Sequence, residues 1–159
     1  MDAENSAAVV IAPESLDDLI AALRARGFLV LGPKIRDGAI VYDELAAASE
    51  LPIGWTDEQD GGRYRLQPRE DAARFGYAVG PHSWKQFLFR PELRLWRAER
   101  SPDGDLVVEE EPTENRPMAF IGVRSCELHA IEIQDRVFMG GRHVDRDYAS
   151  RRDGAFLDA

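Results

Sequence analysis

The chain changes from the pattern of a strand to that of a helix within one short segment, Phe120-Ile121-Gly122-Val123-Arg124-Ser125-Cys126-Glu127-Leu128-His129-Ala130-Ile131. The continuous apolar run Met118 to Val123 predicts a short buried strand in the middle of its sheet. The apolar positions that follow, among them Leu128 and Ile131, predict a helix from Ser125 to about Met139. This segment therefore predicts a strand-turn-helix unit.

The turn of this unit carries the only cysteine of the chain, Cys126. The first backbone N–H groups of a helix have no partners within the helix, and the helix dipole is positive there, so anionic groups are favoured. Arg124 adds a positive charge close by. Cys126 is therefore a candidate metal ligand or redox-active sulfur, and Gly122, Arg124, Ser125 and Cys126 together form the candidate cofactor-binding turn.

Simpler interpretations of the same residues stay open. A cysteine at a strand-helix junction often packs as a small buried apolar side chain. His129 follows Cys126 by one helical turn, and it either shares a site with the thiol or caps the helix or borders the core. The turn is also a possible phosphate or carboxylate site, although it lacks the glycine spacing of nucleotide-binding loops. His82 and His143 lie in predicted loops and are expected at the surface.

Composition limits the class of protein. The chain has 159 residues, of which 44% are hydrophobic, and a formal net charge of -9. This length suits one ordinary domain with its own core. The acidic balance disfavours a nucleic-acid partner, because such proteins concentrate Lys and Arg on one face. No apolar run approaches the roughly 20 residues of a membrane span, and the start of the chain is acidic and polar, so neither a span nor a secretory signal is expected. A single cysteine fits a reducing compartment and predicts a cytoplasmic protein.

The first part of the chain predicts a helix followed by a β-hairpin. Ser15 is the expected N-cap of a helix whose apolar positions recur at helical spacing until Gly27 ends it. Strand-like runs at 28–35 and 39–42 are joined by Asp37-Gly38, a dipeptide that adopts the positive φ angles of a tight hairpin turn.

Later segments give shorter predictions. In chain order they are a possible short helix at 43–50, a loop at 57–62, a strand at 63–67, a helix at 83–89 capped by Ser83, a hairpin of 93–99 with 106–110, and a solvated connector at 109–114. The expected fold class is α/β or α+β, a mixed sheet with short flanking helices, in a single compact domain or one built of two lobes.

Aromatic and arginine residues add predictions about packing. The three tryptophans, Trp55, Trp84 and Trp96, are expected to pack in the core or at an interface, and the helix that begins at Trp84 and Lys85 is a possible subunit contact. The Arg151-Arg152 pair is expected on a solvated face, with acidic residues of this chain or a partner as alternatives. The spacing of Ser, His and Asp residues assembles no nucleophile-base-acid triad, so hydrolytic catalysis is disfavoured.

Several spaced motifs of the chain resemble one protein family. They are Val41-Tyr42-Asp43-Glu44-Leu45, Leu51-Pro52, Gly62-Arg63-Tyr64-Arg65-Leu66, Gly80 to Leu88, Gly122 to Ile131, Asp135-Arg136-Val137-Phe138, and Asp145 to Arg152. In this order they resemble the iron-sulfur electron-transfer subunits that occur as the beta subunit of soluble nickel-iron hydrogenases (sulfhydrogenases) and as the A subunit of anaerobic sulfite reductase. Members commonly have proline at the position of Ser125 and aspartate at that of Glu127, and both differences are compatible with a helix start.

The resemblance implies that residues 1–159 are the N-terminal domain of such a subunit. In the family this domain leads into a cysteine-rich half with two 4Fe-4S clusters. A cluster normally needs four thiolates, so Cys126 would be a metal ligand only together with ligands from that half. The resemblance leaves two other roles open for Cys126, lining an electron path and contacting a flavin in a neighbouring chain. No cofactor is expected in residues 1–159 by themselves.

The resemblance also implies the partners and the role of the domain. Its partners would be its own cluster-bearing half and the flavin- or NAD(P)-binding and catalytic subunits of a hydrogenase or sulfite reductase complex. Its role would be to shield the clusters and to dock neighbouring subunits, without catalysis by the isolated chain. The alternative is a stand-alone, non-catalytic binding or assembly module.

Overall fold

The structure is a computed structural model that describes residues 10–78, 80, 82–110 and 116–159. Its helices and strands, in chain order, are α1 (Ser15–Ala25), β1 (Leu29–Arg36), β2 (Ala39–Glu44), a short 3-10 helix (Ala48–Glu50), β3 (Trp55–Asp60), β4 (Arg63–Pro68), α2 (Lys85–Leu88), β5 (Trp96–Arg100), β6 (Leu106–Glu110), β7 (Met118–Phe120), α3 (Ser125–Phe138), α4 (Arg146–Asp153) and β8 (Phe156–Leu157).

The main sheet has the strand order β2-β1-β7-β8. β1 pairs antiparallel with β2 and parallel with β7, which in turn pairs parallel with β8. Two separate antiparallel hairpins, β3-β4 and β5-β6, complete the sheet structure of the described residues. The predicted mixed sheet with short helices is therefore confirmed, as is the interior position of β7.

Hydrophobic residues pack on both faces of the main sheet because neighbouring strand residues point to opposite sides. Val30 and Ala119 face one side, where they pack with Leu16, Ile20 and Leu23 of α1. On the other side, the buried cluster takes in residues of the sheet and of α2, α3 and α4, namely Leu31, Tyr42, Trp84, Leu88, Met118, Phe120, Val123, Ile131 and Tyr148. The sheet is thus the middle layer between α1 and the other three helices.

The predicted hairpin of β1 and β2 is confirmed in detail. Asp37 and Gly38 have φ angles of 52° and 74°, as a tight turn between right-twisted strands requires. The predicted strand-turn-helix unit is also present, with β7 followed by α3. The second predicted hairpin forms as β5 and β6, with Gly104 at φ 93° in its turn.

Three local predictions are wrong. Ser15 is the first residue of α1 rather than its N-cap; Glu14 precedes the helix and makes no side-chain cap hydrogen bond. Residues 57–62 are not a loop, because polar β3 pairs with β4 through the Gly61-Gly62 turn. In the segment 43–50, residues 43 and 44 extend β2 and only Ala48–Glu50 forms a helical turn. The polar residues of β3 are compatible with a strand because both of its faces are largely open to solvent.

Two further segments differ in extent from the prediction. The helix expected at 83–89 is limited to Lys85–Leu88, with the Lys85 N–H donating to the Ser83 Oγ at 3.2 Å. Of the connector expected at 109–114, residues 109 and 110 belong to β6 and the remainder lies outside the described residues. Within the described ranges, no helix combines the length and the apolarity that crossing a bilayer would demand.

Candidate functional site

The turn between β7 and α3 is fixed at both ends by the backbone. The Val123 N–H donates to the carbonyl of Asp158 at 2.8 Å, and the Asp158 N–H donates to the carbonyl of Phe120 at 2.9 Å. Gly122 has φ 75°, and a Cβ atom at this position would lie 2.4 Å from the ring of Phe75. A glycine is required here because a side chain would meet both a strained backbone and the Phe75 ring.

The first turn of α3 already contains a carboxylate, that of Glu127. Its Oε2 accepts the Arg124 N–H at 3.0 Å, and its Oε1 accepts the Tyr42 hydroxyl at 2.5 Å. Glu127 is only 8% exposed. This internal anion occupies the helix N-terminus that the sequence suggested for a phosphate or carboxylate ligand, so the geometry disfavours an external anion at the Arg124 N–H.

Two buried tyrosines flank this carboxylate. Burial, the hydrogen bond to Glu127 and the charge of Glu127 raise the pKa of Tyr42 far above its usual value. Burial also raises the pKa of Tyr77, although the adjacent Arg124 opposes the rise. Both phenols are therefore neutral at physiological pH, and the hydroxyl of Tyr42 is a fixed donor to Glu127.

The Arg124 side chain lies inward over an aromatic ring. Its guanidinium carbon is 4.8 Å from the centre of the Tyr77 ring, a cation–π arrangement. Its Nη2 atom is buried and has no hydrogen-bond partner among the described residues. The positive charge that the sequence placed beside Cys126 is thus held against the Tyr77 ring.

Cys126 is an exposed thiol, so the alternative of a buried apolar cysteine is wrong. It is the second residue of α3, beside the buried Glu127. His129 is exposed as well, and its Nδ1 lies 3.7 Å from a carboxylate oxygen of Glu132 on the helix surface. The predicted role of His129 at a cap or core edge is therefore wrong. Across residues 10–78, 80, 82–110 and 116–159, His, Cys, Asp and Glu side chains form no group of three or more that would hold a metal ion.

An apolar cleft of about 330 Å³ borders the turn on the side of Phe75. Its lining includes Ile11, Leu16, Ala73, Phe75 and Asp158. Asp158 is also the residue whose backbone pairs with Val123 and Phe120. The volume falls within the range of small-molecule pockets, and the lining supplies one carboxylate and one guanidinium, from Arg74.

The Arg151-Arg152 pair is half-buried rather than on a solvated face, so that prediction is wrong and the acidic alternative is confirmed. Arg152 Nε lies 3.0 Å from Asp135 Oδ2, and Asp135 Oδ1 accepts the Tyr148 hydroxyl at 2.7 Å. Arg151 lies 3.4 Å from Asp147 and donates to the carbonyl of Phe87 at 3.0 Å. These contacts join α4 to α2 and α3, so the role they support is structural.

The tryptophans occupy different environments. Trp84 is buried and stacks between Tyr42 and Phe120, with ring centres 4.0 Å and 4.7 Å away. It is therefore core, and the subunit contact suggested for the start of α2 does not involve its side chain. Trp55 and Trp96 are 37% and 60% exposed, which leaves an interface as the remaining prediction for both. His143 is exposed, as expected, and His82 is half-buried.

The turn contains Gly122, Arg124, Ser125 and Cys126, and the side chains that contact its residues include two that the sequence did not indicate. Tyr42 and Tyr77 come from distant parts of the chain and meet α3 only in the folded state. The one available signal was Glu127 at the third helical position, where a carboxylate commonly caps the helix start.

Comparison with known proteins gives no further assignment, because the sequence matches no protein-family model, no curated protein and no solved structure.

Proposed function

We propose that this domain is the N-terminal scaffold and docking domain of a 4Fe-4S electron-transfer subunit, in a multi-subunit oxidoreductase of the hydrogenase or anaerobic sulfite reductase type. The motifs that resemble this family support the proposal. They include the turn from Gly122 to Cys126 and the residues around Tyr42, Trp84 and Tyr148, all of which lie in or beside one side of the core.

The observation that carries the proposal is the exposed thiol of Cys126 on a rigid support. The backbone bonds of Val123 and Asp158 fix the turn, and Glu127 fixes the first turn of α3. A thiol held outward in this way is available to a group bound by another polypeptide segment. Arg124 is turned inward over Tyr77, and Cys126 is exposed in the first turn of α3.

In this proposal the clusters belong to a cysteine-rich segment, and this domain covers them. Burial and hydrogen bonds around a cluster set its reduction potential, so the surface around Cys126 would act by excluding water and by adding one sulfur contact. The domain itself would carry no electrons. Its partners would be the cluster-bearing segment and the flavin- or NAD(P)-binding and catalytic subunits of the complex, in the cytoplasm.

The test is anaerobic reconstitution with iron and sulfide of two proteins: the chain 1–159, and the product of the same reading frame extended through any cysteine-rich continuation. Each is prepared with and without Cys126→Ala. We expect the short chain to bind no stoichiometric iron and sulfide. We expect the extended product to hold clusters whose midpoint potential or stability to air changes in the variant.

Two results would contradict the proposal. One is a stable, stoichiometric cluster in the short chain that is lost in the Cys126→Ala variant, because this domain would then hold a redox centre itself. The other is a reading frame that ends at Ala159 with no cluster protein that binds this chain. Ala130→Ser is the matched control, because it alters an exposed position of the same helix outside the candidate turn and leaves the thiol in place.

The second candidate is a stand-alone, non-catalytic assembly module. One observation favours it: the β5-β6 hairpin exposes several apolar side chains close together, including Trp96, Leu106 and Val108, and such a patch is typical of an interaction surface. In this case a partner would bind the hairpin, and Cys126→Ala would leave that binding unchanged.

A further inference from the structure

The β5-β6 hairpin stands apart from the main sheet. Every residue of both strands is exposed, and β5 has β6 as its only strand partner among the described residues. The edge of β5 that faces away from β6 therefore has backbone N–H and C=O groups that are not hydrogen-bonded to any strand of the described residues. Such an edge is a template for another strand, and proteins usually protect it with charge, proline or a covering segment.

The two faces of the hairpin differ in chemistry. Residues directly opposite in an antiparallel pair share a face, and the register pairs Trp96 with Glu110, Ala98 with Val108 and Arg100 with Leu106. This face is mainly apolar. The other face carries Arg97 opposite Glu109 and Glu99 opposite Val107, and it is mainly charged.

The sequence of β5, Trp96-Arg97-Ala98-Glu99-Arg100, is complementary to its own antiparallel copy. When two copies pair around Ala98, each Arg97 lies opposite the Glu99 of the other copy, and each Trp96 lies opposite the other Arg100. The first contact is an ion pair, and the second places a guanidinium beside an indole, a favourable cation–π partner.

The charged groups of β5 are accessible to a second copy, although the Arg100 guanidinium also donates to the Gly104 carbonyl of its own chain at 2.8 Å. The side chains of Arg97 and Glu99 are 61% and 64% exposed, and within one chain they form an ion pair with each other on the charged face. Binding of a second copy would therefore exchange or share the Arg97–Glu99 ion pair, so that neither of these charges would be buried without a partner.

β6 lacks this property. An antiparallel self-pair of β6 around Val108 would place Glu110 opposite Leu106 and Glu109 opposite Val107, so neither carboxylate would meet a positive group. The charge pattern thus selects the β5 edge.

We propose that two copies of this chain associate through antiparallel pairing of their β5 strands, to form a four-stranded sheet in the order β6-β5-β5-β6. This inference does not depend on the proposed role in electron transfer. The contact is one short strand from each copy, so it falls below the ~1,200 Å² typical of stable complexes, and we expect a dissociation constant on the order of 0.1 mM.

The first experiment is sedimentation equilibrium of the chain from about 10 µM to about 1 mM. We expect a monomer-dimer equilibrium that weakens at high salt, because exposed ion pairs are screened. Arg97→Glu and Glu99→Arg should each weaken the dimer at least about tenfold, since like charges would then lie directly opposite between the two copies. Glu99→Arg is the cleaner variant, because Glu99 lies opposite Val107 in its own hairpin, whereas Arg97 lies opposite Glu109. The combined variant, Arg97→Glu with Glu99→Arg, should restore it. The two single variants mixed together should form a heterodimer.

Glu110→Arg is the matched control, because it reverses a charge on β6, which makes no contact between the two copies. It should change the dissociation constant of the dimer less than about twofold. Far-UV circular dichroism establishes that each variant is folded. A monomer throughout the concentration range would overturn the proposal. So would a dimer that the single reversals leave intact, or one that the combined variant does not restore.

A second experiment measures the register directly. Pairing around Ala98 puts this residue opposite its own copy, with Cα atoms ~4.5–5.5 Å apart, which lies within the Cα–Cα range of a disulfide. In a Cys126→Ser background, Ala98→Cys should give a covalent dimer under mild oxidation, at least about tenfold faster than Val107→Cys on β6. Equal rates for the two positions would contradict the pairing.

Discussion

Replacing Tyr42 with phenylalanine removes the hydroxyl that donates to the buried Glu127 carboxylate at 2.5 Å. A hydrogen bond to a charged acceptor contributes ~1.5–3 kcal/mol, so Tyr42→Phe should lower the free energy of unfolding by about that amount. Glu127→Ala removes the same bond and also the contact with the Arg124 N–H, which adds a capping loss of ~1 kcal/mol. The total for Glu127→Ala is about 3 kcal/mol, or roughly 6–12 °C in Tm.

The two losses should not add. Once Tyr42 is phenylalanine, no buried hydroxyl is left without a partner, so Glu127→Ala then costs only the capping contribution. The double-mutant cycle should therefore give a coupling free energy of ~1.5–3 kcal/mol. The measurement is equilibrium urea unfolding of the four proteins at neutral pH. A matched control pairs Glu127→Ala with Tyr148→Phe, because the Tyr148 hydroxyl donates to Asp135 and shares no hydrogen-bond partner with Glu127. A coupling below ~0.5 kcal/mol for the first pair would refute the buried bond.

Three other predictions concern stability. Gly122→Ala should lower the free energy of unfolding by ~1–2 kcal/mol, because φ is 75° and the new Cβ would displace the Phe75 ring; thermal unfolding measures it, and an unchanged Tm would contradict it. Ile20→Ala, at a fully buried position of α1, should lower the same quantity by ~2–5 kcal/mol in urea unfolding, whereas a loss below ~1 kcal/mol would show that α1 does not cover the sheet. Hydrogen bonds from Arg69 lower the pKa of Asp71 to about 2. The stability they add is therefore present above about pH 4 and is lost as the pH falls through about 2, so Asp71→Asn should flatten the fall of Tm between about pH 4 and pH 2. Parallel plots of Tm against pH for the two proteins would contradict the Arg69–Asp71 ion pair.

Local patterns were sufficient where one short segment fixes its own conformation. Asp37-Gly38 favours the positive φ angles of a tight turn and adopts them here, so the hairpin of β1 and β2 could be predicted from the dipeptide. The helical spacing of Leu16, Ile20 and Leu23 likewise predicted α1 and its buried face.

Local patterns failed where pairing with another segment decided the outcome. The polar residues of β3 predict a loop. They form a strand because backbone hydrogen bonds to β4 do not depend on side-chain polarity, and because both faces of this hairpin are largely exposed to solvent. The sequence predicts a solvent-exposed position for the Arg151-Arg152 pair, because its hydrogen-bond partners lie far away in the chain. They are the Asp135 carboxylate and the backbone carbonyl of Phe87.

The sequence by itself determined the strand-turn-helix unit, the position of Cys126 at the start of α3 and the presence of both helices and strands. Each of these features depends on residues within a few positions of one another. Only the tertiary structure decided that Cys126 is exposed and that Glu127 and Arg124 turn inward to Tyr42 and Tyr77. Those contacts join residues that are far apart in the chain, and they form because a buried carboxylate must find donors wherever the packed sheet brings them.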